Sequence, residues 1–250
     1  MTLSAIIITR DSERTIRRCL DSLQFADEII VIDSGSSDRT IEICREIGAR
    51  VHETRHWPGF GPQKNVALDH ATGEWVLSLD SDEWVSGELR GEIGRVIASS
   101  GNVVAYAMPR RSSFCGRYMR HSGWWPDHVV RLFRRGAARF SVDLVHERVI
   151  VDGRVGRLRE PIMHEAVTDI DQLVAKLNAY STSSAQMKHA QGQRATLAGA
   201  LFHGIWTFFR TYILRLGFLD GREGFLLAVA NAEGSYYRYV KLMLLARRKE

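Results

Sequence analysis

Short apolar runs alternating with one-faced amphipathic segments constrain this chain most. Leu3 to Thr9 (LSAIIIT), Glu28 to Asp33 (EIIVID), Arg50 to Glu53 and Trp75 to Leu79 read as strands. Between them, Ser12 to Leu23 places Ile16, Leu20 and Leu23 on one helical face. A second helix runs from Asp38 to a stop at Gly48, and a third from Gln63 to Ala71. Runs as apolar as LSAIIIT fit strands buried on both faces, and the alternation predicts a mostly parallel sheet covered by helices.

Sheets of that kind bind ligands beyond the carboxyl ends of their strands. Three polar clusters stand there: Thr9 to Glu13, Asp33 to Asp38, and Asp80 to Glu83. In WVLSLDSDEW the alternation of an extended chain turns Asp80 and Asp82 to one side with Ser81 between them. Two carboxylates so placed offer oxygen ligands to Mn²⁺ or Mg²⁺, whereas a solvated acidic turn is the plainer alternative. Asp33, directly on a strand end, suits a base N–H or a ribose hydroxyl; an N-cap or Asx turn suits Asp38 better. Lys64 meets a phosphate or a base, or is a solvated lysine at a helix start. Neither a glycine-rich dinucleotide turn nor a Walker loop follows the first strand, which reads TRDSER. A phosphate-bearing ligand would therefore rely on a metal and on cationic side chains.

After Ser99 the pattern loosens into short strands, Val103 to Met108, Val129 to Phe133, Arg139 to Ser141 and Glu147 to Val151, expected as an antiparallel extension of the sheet. In GWWPDHVVRLFRR, Asp127 follows an aromatic-proline turn, and Arg131, Arg134 and Arg135 follow it. An aromatic pair beside a carboxylate suits a sugar ring and a general base. Val145-His146-Glu147 and His164 add titratable groups, and His is a good further ligand for Mn²⁺.

From residue 170 the chain turns helical, with Asp171 to Gln191 and two apolar stretches, Leu197 to Leu219 and Phe225 to Leu245. Charge is unevenly spread: residues 187–250 hold ten Lys or Arg against four Asp or Glu, so the rest of the chain is near neutral. A basic, apolar tail points to an anionic surface. His203, Arg210 and Arg215 interrupt the first stretch, leaving no run of the roughly 20 apolar residues that a span requires. The expectation is a helix lying in the headgroup region of an anionic membrane, the alternative a face packed on the rest of the chain or on a second subunit in a homo-oligomer. Cys19, Cys44 and Cys115 form no C-x-x-C pair and no signal peptide is read at the start, which suits a reducing, cytosolic setting.

Taken together, IIITRDSE, ADEIIVIDSGSSDRT, PQKNVALDHATGEWVLSLDSDEW, WWPDHVVRLFRR, VHE and GFLDGREGF resemble glycosyltransferase family 2, the inverting nucleotide-sugar transferases of GT-A fold, and within it the lipopolysaccharide-core glucosyltransferase type. The resemblance implies a Rossmann-like, mostly parallel sheet flanked by helices, with an antiparallel extension and a C-terminal helical membrane-associating region. It implies a catalytic domain over 1–168, divided into a nucleotide-binding half (1–99) and an acceptor half (100–168), then a helical region over 169–250. Carried over by position, Thr9, Arg10, Glu13, Asp33, Lys64, Asp80 and Ser81 would line the nucleotide-sugar pocket. Asp82 would be the principal ligand of Mn²⁺ or Mg²⁺, with Asp80 and His164 beside it. The family's usual T-x-N-x-E is Thr9-Arg10-Asp11-Ser12-Glu13 here, and neither its Glu-Asp pair nor its Q-x-x-R-W string occurs. Arg131 and Arg134 are the expected substitutes on the diphosphate. The catalytic base is Asp127, or Glu147 as its rival.

The function expected is transfer of a sugar from a nucleotide-sugar donor, such as UDP-glucose, to a lipid-linked glycan at the inner face of the cytoplasmic membrane. The alternatives are a glycosyltransferase for another cell-surface polysaccharide and a sugar-phosphate nucleotidylyltransferase, which normally carries a glycine-rich basic loop where TRDSER stands. A nucleic-acid-binding role leaves Asp80, Asp82 and Asp127 unexplained, because acids beside a nucleic-acid groove oppose binding.

Overall fold

A computed structural model describes residues 1–54, 56–99, 101–142 and 148–247. The chain divides into two compact units, one of Met1–Arg110 with His128–His164 and one of Arg111–Asp127 with Glu165–Glu250.

In the first unit, strands β1 (Leu3–Thr9), β2 (Glu28–Asp33), β3 (Arg50–Glu53) and β4 (Trp75–Asp80) alternate with helices α1 (Ile16–Asp21), α2 (Thr40–Glu46) and α3 (Phe60–His70). The strands pair in parallel, as expected, and their order is β3-β2-β1-β4, with Thr9 beside Asp33 and Ile8 beside Asp80. Alternation explains why β1 is buried throughout and almost wholly apolar. Leu3, Ala5 and Ile7 join a core with α1, α2 and a further helix, α4 (Gly87–Ala98), while Ile6 and Ile8 join a core with Ala67 and Leu68 of α3 on the other face.

Helix α1 starts later than the expected Ser12, for a local reason. The backbone N–H groups of Asp11, Ser12 and Glu13 donate to Ser36 Oγ, Thr40 Oγ1 and Asp38 Oδ2, so side chains of the β2–α2 turn satisfy them before a helix can form. Gly73, leading into β4, lies so near β1 that a Cβ there would stand 2.8 Å from the Ser4 nitrogen.

Strand β5 (Glu83–Val85) and α4 follow β4 and carried no separate signal in the sequence. The Ser86 hydroxyl caps α4 by accepting from the Leu89 N–H. The remaining strands are β6 (Val103–Phe114), β7 (Arg117–Tyr118), β8 (Asp127–Arg134), β9 (Ala138–Phe140), β10 (Val149–Val151), β11 (Arg154–Arg157) and β12 (Ile162–Val167). The sheet continues from β4 as β8-β6-β12-β5; β8 is antiparallel to β4, and β11 and β7 also pair with β6. The antiparallel extension is therefore real, but β9 and β10 are not in it. They pair with each other in a two-stranded sheet, and the Asn65 side chain of α3 takes both the N–H and the C=O of Phe140, occupying backbone groups a further strand would have used.

In the second unit, α7 (Gly221–Arg247) packs against both α5 (Ile170–Ala190) and α6 (Leu197–Phe209). The apolar stretch expected over Leu197 to Leu219 is not one helix. It passes into a π-helical turn at Arg210–Leu214, reverses at Leu216, whose φ is 56°, and ends in a 3₁₀ turn at Gly217–Asp220. The glycines of GFLDGREGF explain this, because a Cβ on Gly224 would stand 1.9 Å from the Gly217 carbonyl oxygen. Buried Asp220 then accepts from the backbone N–H groups of Arg120 and His121, fixing the loop that leads to Asp127. Among the described residues no helix is long and apolar enough to cross a membrane.

Candidate active site

The carboxyl ends of β1, β2 and β4 carry the first three clusters. The Asp80 carboxylate, at the end of β4, is gripped on both oxygens: Lys64 Nζ lies 2.8 Å from Oδ1 and the Arg131 guanidinium 2.5 Å from Oδ2. The same guanidinium reaches Glu83 Oε1 at 2.8 Å, and Arg110 approaches that oxygen at 3.4 Å. Lys64, Glu83 and Arg131 are all buried, which charged side chains accept only when paired. Burial pushes the Asp80 carboxyl up, but Arg131 and Lys64 outweigh it and hold Asp80 far below the usual carboxylate range. For Arg131, burial favours the neutral form, yet Asp80 and Glu83 raise its pKa further above the ordinary arginine value.

Glu83 is more central than a carboxylate in an acidic turn. It is wholly buried on β5, and its Oε2 accepts the Asp80 N–H at 3.0 Å, which fixes the turn between the two acids. The sequence offered one signal for this, a buried-type arginine three residues into VVRLFRR, but nothing tied that arginine to Glu83.

Asp82 meets His164, with Oδ2 and Nε2 3.6 Å apart, because β12 pairs with β5 in a register that sets His164 opposite Glu83. Among the described residues no three His, Cys, Asp or Glu side chains gather as a metal centre. Of the expected metal ligands, Asp80 is engaged by Lys64 and Arg131, and Asp82 and His164 approach each other. That pair fits a divalent cation, its separation being close to the spread of two donors each about 2.1 Å from one ion.

Around β1 and β2, the Thr9 hydroxyl is buried and has no hydrogen-bond partner among the described residues, at the edge where ligands bind. Asp33 is wholly buried and closes an Asx turn, accepting from Gly35 N, Ser36 N and Ser36 Oγ. The turn expected for Asp38 is also formed, through Thr40. Glu13 accepts from the Arg39 N–H, Arg10 is exposed beside Asp11, and Ser81 shares a 3.0 Å hydrogen bond with Ser12.

Arg134 does not join this group. Because β8 runs antiparallel to β4, Arg134 lies opposite Trp75 at the far end of the strand from Asp80, with its guanidinium 4.9 Å from the Trp75 ring centre. Arg131 alone of the two is at the network. Asp127 opens β8, half-buried, and belongs to the second unit. Glu147 and His146 lie outside the described residues.

The carboxyl ends of the parallel strands thus gather carboxylates, buried cations and a buried hydroxyl at the edge where sheets of this kind bind ligands. The model of Glycosyl transferase family 2 matches residues 4–163, and the chain belongs to that family. It is 30% identical to an uncharacterized glycosyltransferase of Rickettsia conorii, over 96% of this chain and 89% of that one. It is 28% identical, over 97% and 92%, to LpsC of Rhizobium meliloti, a lipopolysaccharide core biosynthesis glycosyltransferase. A crystal structure of S. aureus TarS (1-349) covers the whole chain and 92% of its own, with a TM-score of 0.51 and 17% identity, a likeness in the GT-A fold. The protein is a glycosyltransferase, and the nucleotidylyltransferase alternative gives way.

Proposed function

We propose that the protein transfers a hexose from a uridine-diphosphate donor to a lipid-linked glycan of the lipopolysaccharide-core kind, with inversion, as a peripheral protein on the inner face of the cytoplasmic membrane. The observation that carries the donor side is the buried Lys64–Asp80–Arg131–Glu83 network at the carboxyl end of β4, next to Asp82 and His164. Membership of the family and the likeness to a lipopolysaccharide core enzyme support the acceptor class.

In this reading Thr9 and Asp33 border the uridine, and the buried Thr9 hydroxyl gains a partner from the nucleotide. Asp82 and His164 would hold Mn²⁺ or Mg²⁺, which when bound neutralises charge on the leaving diphosphate. Lys64 and Arg131 keep Asp80 ionised and fixed, and their positive charge faces the same end of the sheet. Asp127, with Glu147 as its rival, takes the proton of an acceptor hydroxyl. That oxygen then bonds to the anomeric carbon as the bond to the diphosphate oxygen breaks on the opposite side, so one displacement inverts the centre.

Calorimetric titration of UDP with and without Mn²⁺ tests the donor side. Tight binding that needs the metal and is lost in Asp82→Ala is the expected result; binding indifferent to both changes overturns it. Screening nucleotide sugars for slow hydrolysis identifies the donor.

A further inference from the structure

The second unit contains a cleft of about 760 Å³ between the Cys115–Tyr118 turn and the start of α7, lined by Arg117, Tyr118, Arg222 and Glu223. Arg117 is half exposed and Arg222 exposed, so two guanidinium groups serve one opening. Glu223 is the opposing charge, 3.7 Å from Arg117. Gly221 leaves room there, as a Cβ on it would stand 3.4 Å from the Arg117 guanidinium.

The chain on either side of this opening is apolar and partly exposed. Phe218 and Leu219 are 45% and 52% exposed just before Gly221, and Phe225 and Leu226 are 46% and 43% exposed just after Glu223. Phe218 and Phe225 rest on Tyr212, yet four large side chains each about half exposed within nine residues form an apolar surface patch. Arginines within an aromatic and leucine surface match a layer that is apolar below and anionic above.

We infer that this cleft binds the phosphate-bearing headgroup of a membrane lipid, with Arg117 and Arg222 on the phosphate and the Phe218–Leu219 and Phe225–Leu226 pairs in the acyl boundary. The inference rests on the membrane-acceptor reading above and adds a site to it. Glu223 acts as a gate on charge: its pairing with Arg117 must loosen as the phosphate arrives, so removing its charge tightens the site.

Co-sedimentation of the full chain with phosphatidylcholine vesicles, with and without phosphatidylglycerol, tests this, with UDP titration run in parallel as a check on the donor site. The wild type is expected to bind the anionic vesicles only. Arg117→Gln/Arg222→Gln and Phe218→Ser/Leu219→Ser are each expected to lose about tenfold or more in partition, and Glu223→Gln to gain several-fold, with UDP binding unchanged in all. Equal partition of the arginine variant and the wild type overturns the inference. So does binding of inorganic phosphate at the arginines without vesicle binding, which assigns them to a soluble ligand, and so does a stable dimer that buries the apolar pairs. Loss of UDP binding in the wild type would instead sink the donor reading and leave the vesicle result standing.

Discussion

At the scale of single residues, Arg131 decides more than any carboxylate around it. One guanidinium nitrogen serves both Asp80 and Glu83, so its loss leaves Asp80 to Lys64 and the fully buried Glu83 to Arg110 at 3.4 Å. Removing one partner of a buried ionic network is costly, and Arg131→Met is expected to lower stability by about 3–5 kcal/mol in urea unfolding. Arg131→Lys, which keeps the charge but not the fork, falls between the two. A loss under about 1 kcal/mol in the Met variant would show that the network relaxes without it. Asp80 was readable from the sequence as an acid at a strand end, but its salt partners were not. They come from α3 and β8, which the chain brings to Asp80 only through the folded sheet.

At the scale of elements, the opposite end of the sheet is tied by Glu28 of β2. Its carboxylate accepts from Ser4 of β1 and from Thr72 before β4, and pairs with Arg50 of β3, so one side chain ties the ends of four strands. Burial raises its pKa, but the Ser4 and Thr72 hydrogen bonds and Arg50 prevail and hold it at about 2, below the ordinary 4.5. The folded value is depressed, so the stabilisation is complete above pH 4.5 and is lost as pH falls from about 4.5 towards 2. Glu28→Gln is expected to cost on the order of 2 kcal/mol at neutral pH and to flatten that part of the stability curve, as followed by thermal melts across pH. A variant that keeps the wild-type slope below pH 4.5 would assign the acid sensitivity elsewhere. The strands β1 to β4 were readable because two-sided burial writes a continuous apolar run. Strand β5 was not, since three residues containing a glutamate give no period.

At the scale of the whole molecule, donor binding couples to unfolding. A ligand that binds only the folded chain stabilises it by about 2.7 kcal/mol at a hundred times its Kd. UDP with Mn²⁺ is therefore expected to raise the Tm by several degrees. His164→Ala should lose most of that metal-dependent rise. An unchanged metal-dependent rise would remove His164 from the cation site. The apolar stretch at 197–219 shows the limit of reading by composition at this scale. Its content suggested a single surface helix, yet close backbone contact between Gly217 and Gly224 folds it back after Leu216.

The sequence by itself determined the parallel core, the three polar clusters at its edge and membership of a transferase family, because burial on both faces and strand-end chemistry are local properties that leave a local pattern. The tertiary structure alone decided which charges meet. It set Lys64 and Arg131 on Asp80, left Asp82 to His164 and sent Arg134 to the far end of the sheet. Each of those pairings depends on strand order and register, and a carboxylate in a sequence carries no record of which distant cation the register will place against it.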